Sequence, residues 1–439
     1  MLTSITVKHF KSYKSATLKL APITVLIGAN ASGKSNLIEA IKLLSWIAQG
    51  QKLSMIQSAI QTGAHGVRGK LEDIIYQGGD TLTLGATTSA AQWNELSLCL
   101  HIRANALHVI EEHIKTSGEA YLYAATPAPP EARPSLEVHY HPPSAPDASA
   151  RFTCADQSAV FTQISNTAAL SVQDEEARGP LLQCTTALER QLSEIFFLDP
   201  SPAHMRAYSF PSESQLLSDG HNLSAVLFNL WGPDSEAHHE PHLSQRAALL
   251  GLIQSLPEQD ISELSFLREP RGGVMVQLTE TFGGRQQLRD ASLLSDGTLR
   301  VLAIAAVMFS AQRGSLVVIE EIDNGVHPSR AQHLLSHLQK IAEERDLRVL
   351  ISTHNPALLD ALPDPAIPDV VFCYRHIEDG SSQLVRLADV PDYPDLIAQG
   401  SLGHLMTSGV LERFVKYHPT GEDRRRRALD WLKVMRGGL

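Results

Sequence analysis

The chain has 439 residues, enough to bury a substantial core in one large domain or two ordinary ones. Its 43% hydrophobic and 19% charged residues exclude a disordered or fibrous polymer, and stretches such as Leu299 to Phe309 fall well short of the ~20 apolar residues of a membrane span. A formal net charge of −11 excludes a protein coated in nucleic acid over its whole surface, but not one with a local basic patch.

Met1 to Phe10 alternates apolar and polar residues and lacks the cationic start and apolar run of a signal peptide, so a cytoplasmic protein is expected. The spacing predicts a strand over Thr3 to Lys8, a turn at Phe10-Lys11-Ser12-Tyr13 and a second strand over Ala16 to Leu20. Ile23 to Ile27 is a continuous apolar run, hence a strand buried on both faces. A glycine-rich turn follows, then a helix from about Lys34 to Ile47 with Leu37, Ile38, Ile41, Leu44 and Ile47 on one face. Residues 85–115 and 135–165 alternate as antiparallel strands do, and the Pro- and Ala-rich stretch Ala124 to Pro143 reads as a surface loop. Residues 181–256 read as mainly helical, broken at Asp199-Pro200-Ser201-Pro202 and by a polar loop near Gly232 to Leu243, with no heptad run long enough for an extended coiled coil. In the last third, Leu316 to Ile319 and Leu347 to Ser352 are again buried parallel strands, with helices over Thr298 to Ala311 and Ser329 to Glu344. The four cysteines, Cys99, Cys154, Cys184 and Cys373, lie far apart without a CxxC pair and read as reduced thiols.

The segment Gly28-Ala29-Asn30-Ala31-Ser32-Gly33-Lys34-Ser35 matches the P-loop pattern at every fixed position and sits between a predicted strand and a predicted helix. Its glycines let successive N–H groups converge on phosphate oxygens at the positive end of a helix. Gly28, Asn30, Ala31, Ser32, Gly33, Lys34, Ser35 and Asn36 are therefore candidate ATP-binding residues, with Lys34 on the β- and γ-phosphates and Ser35 as a ligand of Mg²⁺. Downstream, Leu316-Val317-Val318-Ile319-Glu320-Glu321 is a strand that delivers two carboxylates to its end. Glu320 stands where an acid would contact Mg²⁺ through water, and Glu321 where a base would polarise the attacking water.

Between these two lies Leu294-Ser295-Asp296-Gly297-Thr298, which resembles the signature motif of ABC ATPases, usually written LSGGQ. Ile322-Asp323-Asn324-Gly325-Val326-His327-Pro328 resembles the D-loop region of RecF-like and OLD-like ATPases, and Ser352-Thr353-His354-Asn355-Pro356 resembles the switch histidine loop. Softer matches are Phe10-Lys11-Ser12, Phe196-Phe197-Leu198-Asp199-Pro200 and Asp219-Gly220-His221-Asn222-Leu223. The resemblance covers most of the chain and is strongest over residues 1–50 and 290–360. It is similar to the RecF/SMC/OLD-like ABC-type ATPases, in a compact prokaryotic form without an acidic cluster after residue 360 like the TOPRIM nuclease of OLD-like proteins.

That resemblance implies an α/β P-loop NTPase fold of the ABC head type, with a mixed sheet, an antiparallel β-subdomain and a helical insertion. The expected divisions are a P-loop lobe with the β-subdomain over residues 1–180, a mainly helical insertion over 181–290, a signature, Walker B and H-loop lobe over 291–375, and a carboxyl-terminal extension over 376–439. It implies a dimer in which Ser295 and Gly297 of one copy cover the γ-phosphate held by the other, with His354 at that phosphate and Asp323 linking the two sites. Lys34, Glu321 and His354 are then the catalytic candidates. Gln77 is the candidate for the Q-loop metal contact, a simple turn being the alternative. The Phe10 to Tyr13 segment is either adenine-facing or a plain strand-end turn. Two departures, Glu320 where Asp is usual and the negative Asp296 in the signature, suit slow turnover.

The expected partners are a second copy of the chain and a separate effector protein, with nucleic acid as a further candidate and no membrane. The leading expectation is an ATP-gated dimer or oligomer that switches its effector, in anti-phage defence. A DNA-repair or DNA-end-sensing ATPase and a non-hydrolysing ATP-bound scaffold stay open beside it. Arg424 to Arg427 is a basic run that reads as either a phosphate-backbone grip or a solvated helix face. His238, His239 and His242 read as a polar loop rather than a metal site.

Overall fold

A computed structural model of the chain describes residues 1–62, 66–118, 120–128, 135–142, 150–166, 175–232, 240–254, 260–282, 284–323, 328–390 and 393–417. The basic run Arg424 to Arg427 and the pair His238 and His239 lie outside these residues. At the amino end, β1 (Leu2–Phe10) and β2 (Tyr13–Lys19) form a hairpin, and β3 (Ile23–Ile27) follows with every side chain buried. After the glycine turn comes α1 (Lys34–Ala48), then the short α2 (Ile56–Thr62). Six further strands extend the hairpin: β4 (Thr81–Thr88), β5 (Glu95–Arg103), β6 (Ala106–Lys115), β7 (Tyr121–Pro127), β8 (Ser135–Tyr140) and β9 (Ala150–Ala155). Together they make an eight-stranded antiparallel sheet of order β2-β1-β4-β5-β6-β7-β8-β9. Two of these strands enter the Ala124 to Pro143 stretch expected to be loop, because Leu136, Val138 and Tyr140 alternate inward despite the flanking prolines.

The chain continues through α3 (Val160–Asn166), α4 (Glu175–Ser193), β10 (Phe196–Leu198), α5 (Pro202–Met205), α6 (Leu223–Trp231) and α7 (Glu240–Ile253). Residues 260–290, expected within a mainly helical insertion, instead form a three-stranded antiparallel sheet of β11 (Asp260–Arg268), β12 (Val274–Phe282) and β13 (Arg285–Asp290). Strand β12 pairs along its length with both β11 and β13, and Val276, Leu278 and Glu280 are fully buried. The remaining elements are α8 (Asp296–Ser310), β14 (Leu316–Ile319), α9 (Pro328–Glu344), β15 (Arg348–Ser352), α10 (Pro356–Asp360), β16 (Val370–Arg375), β17 (Ser382–Arg386), α11 (Tyr393–Ile397), α12 (Leu402–Thr407) and α13 (Val410–Tyr417). Among the described residues no helix is long and apolar enough to cross a membrane, and all four cysteines are free thiols.

A six-stranded sheet of order β10-β14-β15-β3-β16-β17, parallel except for β17, divides the molecule. Ile23, Val25 and Ile27 enter a core shared with α6, α7, α8 and α9, whereas Leu26 enters a core shared with α1, α3, α4 and the antiparallel sheet. Val317 and Ile319 divide from Leu316 and Val318 in the same way, and Val349 and Ile351 from Leu350. A strand with both faces covered must be apolar throughout, which is why these runs do not alternate. Full burial of each such side chain contributes on the order of 2 kcal/mol.

One buried charge ties the antiparallel sheet to its helices. Glu112 of β6 is fully buried and accepts hydrogen bonds from Tyr123 Oη (2.5 Å), Val160 N (2.6 Å) and Phe161 N (2.8 Å), so it caps the start of α3. Desolvation outweighs these three donors and pushes its pKa up to about 7. The folded chain therefore holds this proton more tightly than the unfolded chain does. The stability contribution is complete below the ordinary carboxyl pKa of 4.5 and is lost as the pH rises through about 7. Denaturant melts at about pH 5 and about pH 8 should show lower stability at the higher pH, and Glu112→Gln should flatten that difference. The variant should also lose roughly 1–3 kcal/mol, because its amide turns an N–H toward a backbone donor.

Candidate functional site

Strands β14, β15 and β3 run parallel in register, Ile319 beside Ile351 and Ser352 beside Leu26, so their carboxyl ends open on one edge. The glycine turn leaves β3 at that edge. Gly28 has φ 147° and Gly33 φ 123°, and a Cβ on Gly28 would stand 2.1 Å from the carbonyl oxygen of Cys373, one on Gly33 2.2 Å from Ser382 Oγ. Neither position admits a side chain. Between them Ala31 holds the left-handed φ of 62°, a strain of roughly 1–2 kcal/mol.

The carbonyls of the turn are fastened from behind. Tyr13 Oη donates to Gly33 O (3.1 Å), Ser382 Oγ to Ser32 O (2.6 Å), and Arg375 Nε to Ala31 O (2.9 Å). Cys373 Sγ donates to Ser32 O at 3.4 Å, and Ser12 Oγ, which accepts from Asn36 Nδ2 at 2.7 Å, lies 2.8 Å from Ser382 Oγ. Lys34 Nζ donates to Gly28 O (2.6 Å) and Ala29 O (3.2 Å), and burial lowers its pKa. Within the turn Ser32 N also donates to Ala29 O at 3.2 Å. Ser32 Oγ is buried inside the turn with no protein partner, which suits an external acceptor. Phe10 and Tyr13 are both fully buried, so this segment buttresses the turn and does not face a base.

The two acids follow β14. Glu320 Oε1 pairs with Lys42 Nζ at 2.7 Å, and Lys42 stands 5.6 Å over the ring of Phe197. Glu321 takes a left-handed φ of 49° and its N–H donates to Ser352 Oγ at 3.1 Å, which pins the end of β14 to the end of β15. Asp323, only 6% exposed at its side chain, accepts from Thr353 Oγ1 at 2.7 Å and stands 3.6 Å from Nδ1 of the half-exposed His354. Asn355 then caps α10 by accepting from Ala357 N at 3.0 Å.

Asn30, Ala31, Ser32, Gly33, Lys34, Ser35 and Asn36 meet Glu320, Glu321 and His354 around one cleft of about 370 Å³. Gly28 lies behind it, and Asp323 one hydrogen bond away through Thr353. Ser295 and Gly297 do not line this cleft; Ser295 caps α8 instead, its Oγ accepting from Thr298 N at 3.1 Å. Nor does Gln77, whose Nε2 reaches Asp379 O at 3.5 Å from a turn with φ 48°. Asn324 to His327 of the D-loop-like stretch lie outside the described residues.

Sequence reasoning missed four cations. Arg375 and Arg68 line the cleft, and Arg68 is held by its Nε to Glu39 Oε1 at 2.8 Å. Glu39 is buried on α1 and also pairs with Lys11, so one carboxylate joins the first turn, α1 and the Arg68 loop. Lys42, with Arg68 and Arg300, lines an adjoining cleft of about 630 Å³ that shares Ser35, Glu320 and Glu321. Only Lys42 left a signal: it follows Lys34 and Ile38 at steps of four on the same face of α1.

Residues 165–360 match a family model described as "AAA domain, putative AbiEii toxin, Type IV TA system", and residues 1–64 match one described as "AAA ATPase domain". The chain is 37% identical over 83 residues to Old nuclease of Escherichia phage P2, covering 19% of this chain and 13% of that protein. It is 41% identical over 80 residues to chromosome partition protein Smc of Mycolicibacterium paratuberculosis, covering 18% and 6%. Over 45 residues it is 47% identical to DNA replication and repair protein RecF of Cyanothece sp., covering 10% and 12%. These alignments thus span a small part of each relative. A crystal structure of the Smc head bound to the C-winged helix domain of ScpA covers 88% of this chain and 97% of its own, at 14% identity and a TM-score of 0.46. Residues 1–64 and 165–360 thus match AAA ATPase domain models, and the short stretches shared with Old nuclease, Smc and RecF are consistent with an ABC-type ATPase of the RecF, SMC and OLD kind.

Proposed function

We propose that this chain binds ATP with Mg²⁺ in the cleft at the sheet edge, hydrolyses it, and works as a head that closes on a second copy of itself. The observation that carries this reading is the meeting of the Gly28 to Asn36 turn, the carboxylates of Glu320 and Glu321, and the Asp323–His354 pair around a single cleft. The residues fit the ligand. The glycine cradle that a Cβ would fill, the unmatched Ser32 hydroxyl and the Lys34 ammonium suit a polyphosphate, and the Ser35 hydroxyl with Glu320 suits a hard divalent cation. The cation, when bound, supplies neutralisation of the phosphate charge.

The chain's own groups divide the remaining work. Lys34 exchanges the Gly28 and Ala29 carbonyls for phosphate oxygens. Lys42 balances the charge of Glu320 and sets the direction of its carboxylate. Glu321, which lines the cleft and whose backbone is fixed to Ser352, polarises a water in this reading. Asp323 orients His354 through Nδ1 and leaves the other ring nitrogen for the γ-phosphate. Ser295 and Gly297 lie outside the cleft of their own copy, and in this reading they serve the cleft of a second one. The helix start at Ser295 then meets phosphate with its free N–H groups.

Closure on ATP and opening after hydrolysis would switch a separate effector protein in the cytoplasm. The toxin named in the matched family description, and the phage protein among the relatives, favour a role in anti-phage defence. A second reading, in which DNA stimulates turnover, draws on the relatives named for DNA repair and chromosome partition.

Purified protein should hydrolyse ATP slowly, and Lys34→Ala and Glu321→Gln should each lower turnover by ~100-fold or more, the range seen when one catalytic group is removed. Glu321→Gln should still retain ATP; wild-type turnover in that variant would remove Glu321 from its role and favour an ATP-bound scaffold. Added double-stranded DNA that raises turnover would put the second reading first. Gly28→Ala should abolish binding of a fluorescent ATP analogue, because its Cβ would meet the Cys373 carbonyl at 2.1 Å.

A further inference from the structure

The signature-like loop of this chain carries a negative charge beside the place where phosphate would bind. Asp296 opens α8, and its side chain is 69% exposed. Arg206 answers it. Its guanidinium donates to Asp296 Oδ1 at 2.6 Å and to the Leu294 carbonyl at 3.0 Å, so it engages the acceptors on both sides of Ser295. Both bonds leave the same nitrogen, Nη2, whose two N–H groups reach the carboxylate and the carbonyl together.

Arg206 is itself held in place by the two softer motifs. Leu198, at the end of β10, accepts from Glu320 N at 3.4 Å, and Asp199 lines the cleft beside Glu320 and Lys42. The chain then turns through α5, whose Met205 is fully buried, and emerges at Arg206. The Asp219-Gly220 turn fastens this strap from the other side. Asp199 N donates to Ser218 O and Ser201 N to Asp219 O, both at 2.9 Å, and His204 Nδ1 lies 2.9 Å from Asp219 Oδ2. Gly220, at φ 75°, packs so closely that a Cβ there would stand 3.0 Å from Met205 Cε. The strap therefore runs from the carboxylate end of β14 to the start of α8 within one copy.

We infer that Arg206 is a positioning residue of the signature loop: it cancels the charge of Asp296 and holds Ser295 and the α8 start open to phosphate on a second copy, while the strap ties that loop to Glu320 of its own cleft. This rests on the dimer reading proposed above. An ordinary surface ion pair would merely fasten α5 to α8 and would contribute little. The two roles separate under charge rescue. If Arg206 acts by cancelling Asp296, removing the acid relieves the need for the arginine; if it only fastens α5, removing the acid restores nothing.

The experiment uses full-length Glu321→Gln protein with ATP and Mg²⁺, reading dimer formation by light scattering and nucleotide affinity with a fluorescent ATP analogue. Adding Arg206→Ala should leave nucleotide affinity within ~twofold and weaken the ATP-dependent dimer by ~tenfold or more, the effect of one lost charge-assisted contact. Adding Asp296→Asn to Arg206→Ala should bring the dimer back to within ~threefold of the parent, and Arg206→Lys should fall between. A normal dimer in Arg206→Ala, or no recovery in the double variant, would overturn the inference while leaving the dimer reading intact. Failure of the Glu321→Gln parent to dimerise with ATP would overturn the dimer reading itself, and the role in trans with it.

Discussion

Everything at this site depends on how closely the backbone of the glycine turn lies against the β16–β17 hairpin. The space beside Gly28 is filled by the carbonyl of Cys373, and that beside Gly33 by the Ser382 hydroxyl. Such an approach is available only to a residue without Cβ, and at these φ angles it is also the residue without strain. Once the turn is seated, Tyr13, Ser382 and Arg375 engage its carbonyls and hold it in place beside the cleft. Two further left-handed residues, Ala31 and Glu321, sit on either side of the cleft at a cost of roughly 1–3 kcal/mol each. The dense cores above and below the central sheet supply that stability.

The central sheet also explains how residues hundreds of positions apart come to share one cleft. Because β14, β15 and β3 are neighbours and parallel, the turn after β3, the acids after β14 and the histidine loop after β15 must open on the same edge. The two stretches that match AAA-family models lie on either side of most of the antiparallel sheet, which falls between them in sequence. That sheet is joined to the site through the β1–β2 hairpin, where Lys11, Ser12 and Tyr13 reach Glu39, Asn36 and Gly33.

Much of this was legible in the chain, for identifiable reasons. Continuous apolar runs at Ile23 to Ile27 and Leu316 to Ile319 are characteristic of strands covered on both faces, and the phosphate turn depends on local residues in a set order. Arg68, Arg375 and Ser382 were not legible, because their roles depend on which loops the sheet brings together and not on their neighbours in sequence. Phe196 to Leu198 is too short for any period to show, and it is a strand only because β14 lies beside it. Residues 260–290 were misread for a different reason: Glu280 occupies a buried position of β12 and pairs there with Arg289, so polarity does not mark the outer face. That Ser295 lies outside the cleft follows from the fold and not from its neighbours in sequence, and the proposed role beside a second copy rests on the resemblance to ABC ATPases.

The proposed composite site is tested most directly by mixing two inactive proteins, Lys34→Ala, which lacks a working phosphate turn, and Ser295→Arg, which lacks a working signature loop. Each should be inactive alone. In an equal mixture half of the dimers pair one of each and hold one intact site, so turnover should return to about a quarter of the wild-type value if the sites act independently. No recovery, with dimers shown to exchange subunits, would contradict a site built from two copies and return every catalytic role to a single chain.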